Sequence, residues 1–300
     1  ALYLRSGGNY VLYKSHGRNF SRQDAVRLTA NSIEFLYVSP SDMEVITRYL
    51  EENAERLLQS DKFDGKTKGK IIYQTSINFV GDLFQNPKKV SDFDRSKRLM
   101  ENLLMYLSSD RDALSSLETV MTHNYYTFVH SLQVTALSIL LHAEAYNLAR
   151  DELVDVGIGT LLHDFGKTFT PQQILNKTGK LTDDEIAIVK RHPEEGYCYL
   201  KENTRLNEIS LAIVRDHHER ANGNGYPRGL KKTEISRSAQ VGGIGDVYCT
   251  LTIDRSGGKA LPPYLTLQIM RQEMKGAFDE RLLGILESLT CTEEAPQHVL

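Results

Sequence analysis

The chain is short of cysteine, and the few it has are not arranged for paired chemistry. Cys198, Cys249 and Cys291 are odd in number and far apart, with no CxxC step. That excludes a disulfide framework and a zinc ribbon and leaves three reduced thiols, expected to act as packing residues. No apolar run approaches the ~20 residues that a membrane helix needs, and the first residues carry no basic-then-apolar leader pattern. A cytoplasmic protein without membrane insertion is therefore expected. Neither sign of charge is in excess: 36 basic against 39 acidic side chains leave a net charge of −3. Such a chain has no overall field with which to grip polymeric nucleic acid, so an anionic ligand would be small and held by a local site. Internal repeats and low-complexity tracts are absent too.

What is present divides by pattern. Three hundred residues, 40% hydrophobic, suffice for one large domain and a smaller one. "ALYLRS" and "NYVLYKS" are short, aromatic and β-branched, and a glycine pair separates them, which predicts a hairpin. A helical segment "SRQDAVRLTA", a strand-like "IEFLYVSP" and a helix opening at Ser41 complete a ββαβα unit. The polar, breaker-laden "SDKFDGKTKGK" reads as a linker and sets a boundary near residue 65. Beyond residue 70 the periodicity is helical almost throughout, "YLTLQIMRQEMKGAFDERLLGILES" included. Thr182 with Glu185 three residues later forms a capping box, and Pro193 disfavours helical backbone at His192, so one helix starts near Asp183 and breaks at His192. The irregular "ERANGNGYPRGLKK" lies between helices. The fold class is mainly α, preceded by a small α/β unit.

Nine histidines are unevenly placed. His130, His163, His192 and the pair His217-His218 fall inside or at the ends of apolar periodic segments, where a core histidine with a local partner and a metal ligand are the competing readings. Adjacent residues diverge by roughly 100° on a helix, so His163-Asp164 and His217-His218 do not both face one ordinary core. They can face two ions. Imidazole and carboxylate without thiolate suit iron or manganese, with zinc or nickel able to occupy the same ligands. Two ions ~3.5–4 Å apart are the usual arrangement for phosphoester hydrolysis, and Asp164 is the natural bridging carboxylate. Asp246, a lone acid among small apolar residues, reads equally as a helix cap after glycines. Lys167 is either an exposed lysine after a helix or a partner for a phosphate oxygen.

In order, His130-Ser131, "HDFGK" from His163, "PQQILNKTGKL" from Pro171, "HPEEG" from His192, "HHERANGNGYPRGL" from His217 and "DVYCTLTIDR" from Asp246 closely resemble the motifs of HD-GYP domains. The resemblance spans about residues 123 to 292. It implies a helical bundle with a two- or three-metal centre that hydrolyses cyclic di-GMP to pGpG, and onward to GMP, through a bridging hydroxide. It further implies that His130, His163, Asp164 and Asp246 hold one metal, that Asp164, His192, His217 and His218 hold the other, and that iron or manganese fills both positions. Lys167 would act on the reacting phosphate, with Tyr226 and Arg255 as further substrate contacts. The GYP loop would also serve contacts with diguanylate cyclase domains. The organisation that follows is a regulatory or docking domain over 1–64, linker helices over 65–115, the HD-GYP domain over 116–292 and a tail over 293–300.

Two departures bear on turnover. Arg255-Ser256-Gly257-Gly258-Lys259 stands where many members have Arg-Pro-Tyr, so an aromatic support for substrate is gone. Tyr126 stands where trinuclear members have glutamate, which argues for two metals rather than three and for slower hydrolysis; His123 nearby reads as a surface residue. The alternative function is a cyclic dinucleotide receptor with low or no activity.

Overall fold

The computed structural model describes residues 1–33, 35–109, 112–120, 126–253 and 259–291, with the side chains of residues 126–128 excepted. The chain divides into two compact units, Ala1–Asn53 and Ala54–Leu300. Among the described residues no helix is long and apolar enough to cross a membrane.

The first unit is the expected ββαβα arrangement. Strands β1 (Leu2–Ser6) and β2 (Asn9–Lys14) pair antiparallel, turned by Gly7 and Gly8 at φ of 55° and 86°. These positive values match the turn that two-residue hairpins favour. Helix α1 (Arg22–Ala30) opens on a capping box between Ser21 and Asp24. Strand β3 (Tyr37–Val38) then adds to the free edge of β1, giving the order β2-β1-β3. Helix α2 (Met43–Leu58) follows a short 3₁₀ turn, Pro40–Asp42, and the capping hydrogen bond belongs to that turn: Ser39, not Ser41, accepts it, from the Ser41 amide.

The larger unit is helical. The second half of the segment read as a linker is the first turns of α3 (Gly65–Gln85), since the Asp64 carboxylate accepts from the Thr67 amide and supplies the cap that its glycines and lysines lack. Helices α4 (Phe93–Ser109), α5 (Ala113–Val120), α6 (Tyr126–Tyr146) and α7 (Arg150–Leu161) follow. After them come α8 (Gln172–Leu175), α9 (Asp183–Val189), α10 (His192–Asn203), α11 (Glu208–Asp216) and α12 (Arg237–Thr252). The Thr182–Glu185 capping box forms; α9 ends at Val189 and α10 opens at His192 with Pro193 in its first turn, so the break falls before His192, which is itself helical, rather than at it. The long C-terminal periodicity is two helices, α13 (Pro263–Gln272) and α14 (Glu280–Thr290), interrupted near Gly276 at φ 76°.

Helix α6 is apolar on opposite sides, and this organises the unit. Leu132, Ala136 and Ile139 pack into a core with Phe79 and Leu83 of α3, Met100 and Leu103 of α4, Ile158 of α7 and Val214 of α11. Val134, Leu137 and Leu141 pack into a second core with Val241 and Ile244 of α12 and Leu282 and Leu286 of α14. The two cores thus bring the start of α6, the ends of α7 and α11 and the middle of α12 to a common region. Of the cysteines, Cys249 is buried but Cys198 is exposed and does not pack as expected; all three thiols are free.

Candidate metal centre

Neither tandem pair lies within a helix. α7 ends at Leu161 and α11 at Asp216, so His163-Asp164 and His217-His218 occupy the turns just beyond. The helical 100° divergence expected of them therefore does not apply. Their local chemistry explains the position. The last carbonyls of a helix have no intrahelical partner. The Nδ1–H of His163 donates to the Thr160 carbonyl at 2.6 Å, that of His192 to Val189 at 2.7 Å, and that of His217 to Val214 at 3.0 Å. In each case the histidine binds the carbonyl three residues before it and finishes the helix end.

This placement of the ring proton decides what the other nitrogen can do. With Nδ1 carrying the hydrogen, each Nε2 is a bare lone pair. The Nε2 atoms of His192 and His217 face one another at 3.4 Å, and Asp164 Oδ1 lies 3.2 Å from His192 Nε2. The buried Nε2 of His163 has no hydrogen-bond partner. Acceptors facing acceptors in a buried pocket are repulsive unless a cation lies among them, and a backbone carbonyl on the far nitrogen is the usual support of a ligating imidazole. The donor set therefore fits a divalent metal.

Two overlapping groups emerge. Asp164, His192, His217 and His218 each offer a ligand atom within 4.8 Å of the others, and His130, His163 and Asp164 do the same. Asp164 is common to both. Asp246 is mid-helix in α12 rather than a cap. Its carboxylate is 3.1 Å from His130 Nε2, 3.9 Å from His163 Nε2 and 3.6 Å from His218 Nδ1. Helix α12 comes close enough to deliver it because Gly243 has no Cβ, which would meet the His217 carbonyl at 2.5 Å. Gly166 has a similar role: a Cβ on it would stand 1.9 Å from the His192 carbonyl oxygen.

The electrostatics agree with this picture. Burial pushes the Asp164 carboxyl up, but Lys167 and His163 outweigh burial and hold it well below its usual range. Burial likewise opposes ionisation of Asp246, and the His130 hydrogen bond with nearby His218 prevails. His217 is held well below its usual value, first by burial and then by His218, His163 and His192 around it. Burial takes His218 down to about 3. The pocket thus sets ionised carboxylates beside His217 and His218 held neutral, whereas at His163 burial is outweighed by Asp164 and Asp246, which push it up.

The rim holds the remaining expected residues. The Lys167 ammonium is 2.5 Å from Asp164 Oδ2. Tyr226 stacks on His218 with ring centroids 4.5 Å apart, and burial raises its hydroxyl pKa, keeping it protonated. Arg255 and His123 lie outside the described residues, as does the side chain of Tyr126. Sequence reasoning passed over the residues that pin the GYP loop. Glu219, 5% exposed, accepts from the amides of Arg228 at 2.6 Å and Leu230 at 2.8 Å, while Arg228 grips Asp216 with both arms of its guanidinium. The signal was the acids on either side of the histidine pair in "DHHE".

Comparison with known proteins adds an independent line. The chain is 39% identical over 171 residues to a cyclic di-GMP phosphodiesterase of Pseudomonas aeruginosa, covering 57% of this chain and 41% of that protein. It is 32% identical over 229 residues to a cyclic di-GMP phosphodiesterase of Thermotoga maritima, covering 72% and 60%. A 3'3'-cGAMP-specific phosphodiesterase of Vibrio cholerae is 30% identical over 175 residues, covering 58% and 40%. The chain therefore spans roughly two fifths to three fifths of these relatives' length. The solved HDG"Y"P protein Bd1817 from Bdellovibrio bacteriovorus shares the fold, with a TM-score of 0.71 at 20% identity over 96% of this chain and 93% of that one. The HD domain family profile matches residues 105–282, more than half of the sequence, and the chain belongs to that family.

Proposed function

We propose that the chain is a metal-dependent phosphodiesterase that opens cyclic di-GMP to pGpG, and further to GMP, at a centre of two divalent cations, iron or manganese. The observation that carries this reading is Asp164, common to two groups of ligand atoms in which the imidazoles of His163, His192 and His217 have their Nδ1 hydrogens tied to backbone carbonyls. His130, His163, Asp164 and Asp246 would hold one cation and Asp164, His192, His217 and His218 the other. When bound, such cations lower the pKa of water toward neutrality and clamp a reacting phosphate. The protein's own groups do the rest. The carbonyl-anchored rings keep their Nε2 atoms aimed inward without reorganisation. Lys167, at the edge of the pocket, offers an ammonium to a non-bridging phosphate oxygen and offsets charge gathered during the reaction. Tyr226 keeps its proton and can donate it to a phosphate or sugar oxygen.

The test is anaerobic purification with iron or manganese, followed by incubation with cyclic di-GMP and 3'3'-cGAMP and chromatography of the products. Metal-loaded wild type should form pGpG and Asp164→Ala should form none. Equal product from both proteins would defeat the enzyme reading. Tight binding of cyclic di-GMP without product would replace it with a receptor. Preference for cGAMP would align the chain with the Vibrio relatives instead.

A further inference from the structure

Lys190 is a cation that ion pairing has left alone. Among the described residues its ammonium pairs with no carboxylate, whereas the neighbouring cations are neutralised: Arg191 with Glu195 at 2.6 Å and Lys177 with Glu185 at 2.6 Å. Its ammonium instead lies 5.3 Å from the centroid of the Tyr226 ring. Tyr226 has two faces, and the ring of His218 is stacked on one of them at 4.5 Å. Lys190 therefore covers the other. The result is a column of imidazole, phenol and ammonium that runs from the metal centre to its rim. Laid end to end, the two separations put the ammonium within about 10 Å of the His218 ring.

That position has a reason in the fold. Lys190 caps the C-terminal end of α9, and His192 lies two residues on, at the start of α10. The break between α9 and α10 leaves His192 beside Asp164 as a candidate ligand and Lys190 beside Tyr226 as a charge next to it. An ammonium over an aromatic face is only loosely held when exposed. The four-carbon stem is flexible, and a phosphate oxygen is a stronger partner than a ring.

We infer that Lys190 anchors the second, non-reacting phosphate of a cyclic dinucleotide, leaving the outer face of Tyr226 open for a base to stack on. The inference rests on the phosphodiesterase reading and deepens it. A cyclic dinucleotide carries two phosphodiesters, and only one can be at the reacting centre. Lys167 serves that one. Lys190, beside Tyr226 rather than Asp164, serves the other. A substrate with a single phosphate does not reach Lys190, so this residue discriminates between the two classes.

The test compares manganese-loaded wild type with Lys190→Ala and Lys190→Arg, using cyclic di-GMP and the single-phosphate diester bis(p-nitrophenyl) phosphate. Lys190→Ala should raise KM for cyclic di-GMP about 10-fold, the worth of one charge-assisted contact, with kcat within about 2-fold. The ratio of kcat/KM values for the two substrates should fall by the same factor, and Lys190→Arg should restore it. An unchanged KM, or equal losses on both substrates, would overturn the proposal. If wild type turns over neither substrate, the enzyme reading fails on its own. Equilibrium dialysis of cyclic di-GMP then decides for Lys190. About 10-fold weaker binding by Lys190→Ala upholds its role, and equal affinities or no wild-type binding refute it.

Discussion

Replacing Gly166 with alanine is the sharpest perturbation of the link between fold and site. A methyl group there would stand 1.9 Å from the His192 carbonyl oxygen and 2.8 Å from the Gly196 amide nitrogen, both of them backbone atoms that cannot rotate away. To reach even 3.0 Å from that oxygen, the turn after Asp164 and the start of α10 must part by about 1.1 Å, the difference between 3.0 and 1.9 Å. That displacement falls between Asp164 and His192, whose ligand atoms are now 3.2 Å apart. Overpacking against backbone belongs near the upper end of its range, about 3 kcal/mol, which for a unit of this size lowers Tm by roughly 6–12 °C. Misplacing a site by ~1 Å costs on the order of 10²-fold in rate. Calorimetry and metal analysis of Gly166→Ala should therefore show both a lowered Tm and a substoichiometric metal content. Gly179→Ala is the control, because nothing lies within 4 Å of its Cβ. If Gly166→Ala matched wild type in Tm and metal content, the packing argument for this turn would be wrong.

Further expectations follow from groups around the site. His142 of α6 is buried, with Nε2 3.1 Å from Ser238 Oγ, and burial lowers its pKa to about 4. An unfolded histidine titrates near 6.5, so in this window the unfolded chain binds the extra proton. Stability is whole above pH 6.5 and falls as pH drops toward 4, by roughly 3 kcal/mol in all. In urea titrations of metal-loaded protein, His142→Gln should flatten that slope by about one proton; an unaltered slope would exclude His142 as its source. Arg228→Ala strips Asp216 of its guanidinium, and Asp216 is the more deeply buried of the two, with 5% of its side chain exposed. Since Arg228 is itself partly exposed, the expected loss is about 2 kcal/mol rather than the full cost of breaking a buried pair. Hydrogen exchange should localise it to residues 219–232, and uniform protection across that loop would argue against the pinning role.

Much of the centre was legible in the sequence because its chemistry is residue-specific. Five histidines and two acids in apolar surroundings have few bland explanations together, and their order along the chain supplied the rest. The ends of helices were harder to read. His163 and His217 look helical by apolar periodicity, yet each sits past the last turn because its own imidazole replaces the missing amide donor, an effect no periodicity encodes. The glycines and lysines after Asp64 look like a linker until the aspartate cap is seen to start α3. Nothing in the local sequence explains Gly166, because the reason for it is the carbonyl of His192, distant along the chain but adjacent in space. Lys190 was invisible for a similar reason: its significance comes from a tyrosine ring on a distant loop.

The central claim is that the lone pairs of His163, His192 and His217, with Asp164 between them, exist to receive cations. Anomalous diffraction at the manganese edge from manganese-soaked crystals tests it most directly. Two peaks are predicted, one at ligand distance from the Nε2 atoms of His192 and His217, the other beside His130 and His163, with Asp164 reaching both. A map without peaks, in which His192 and His217 still face each other across 3.4 Å, would contradict the account.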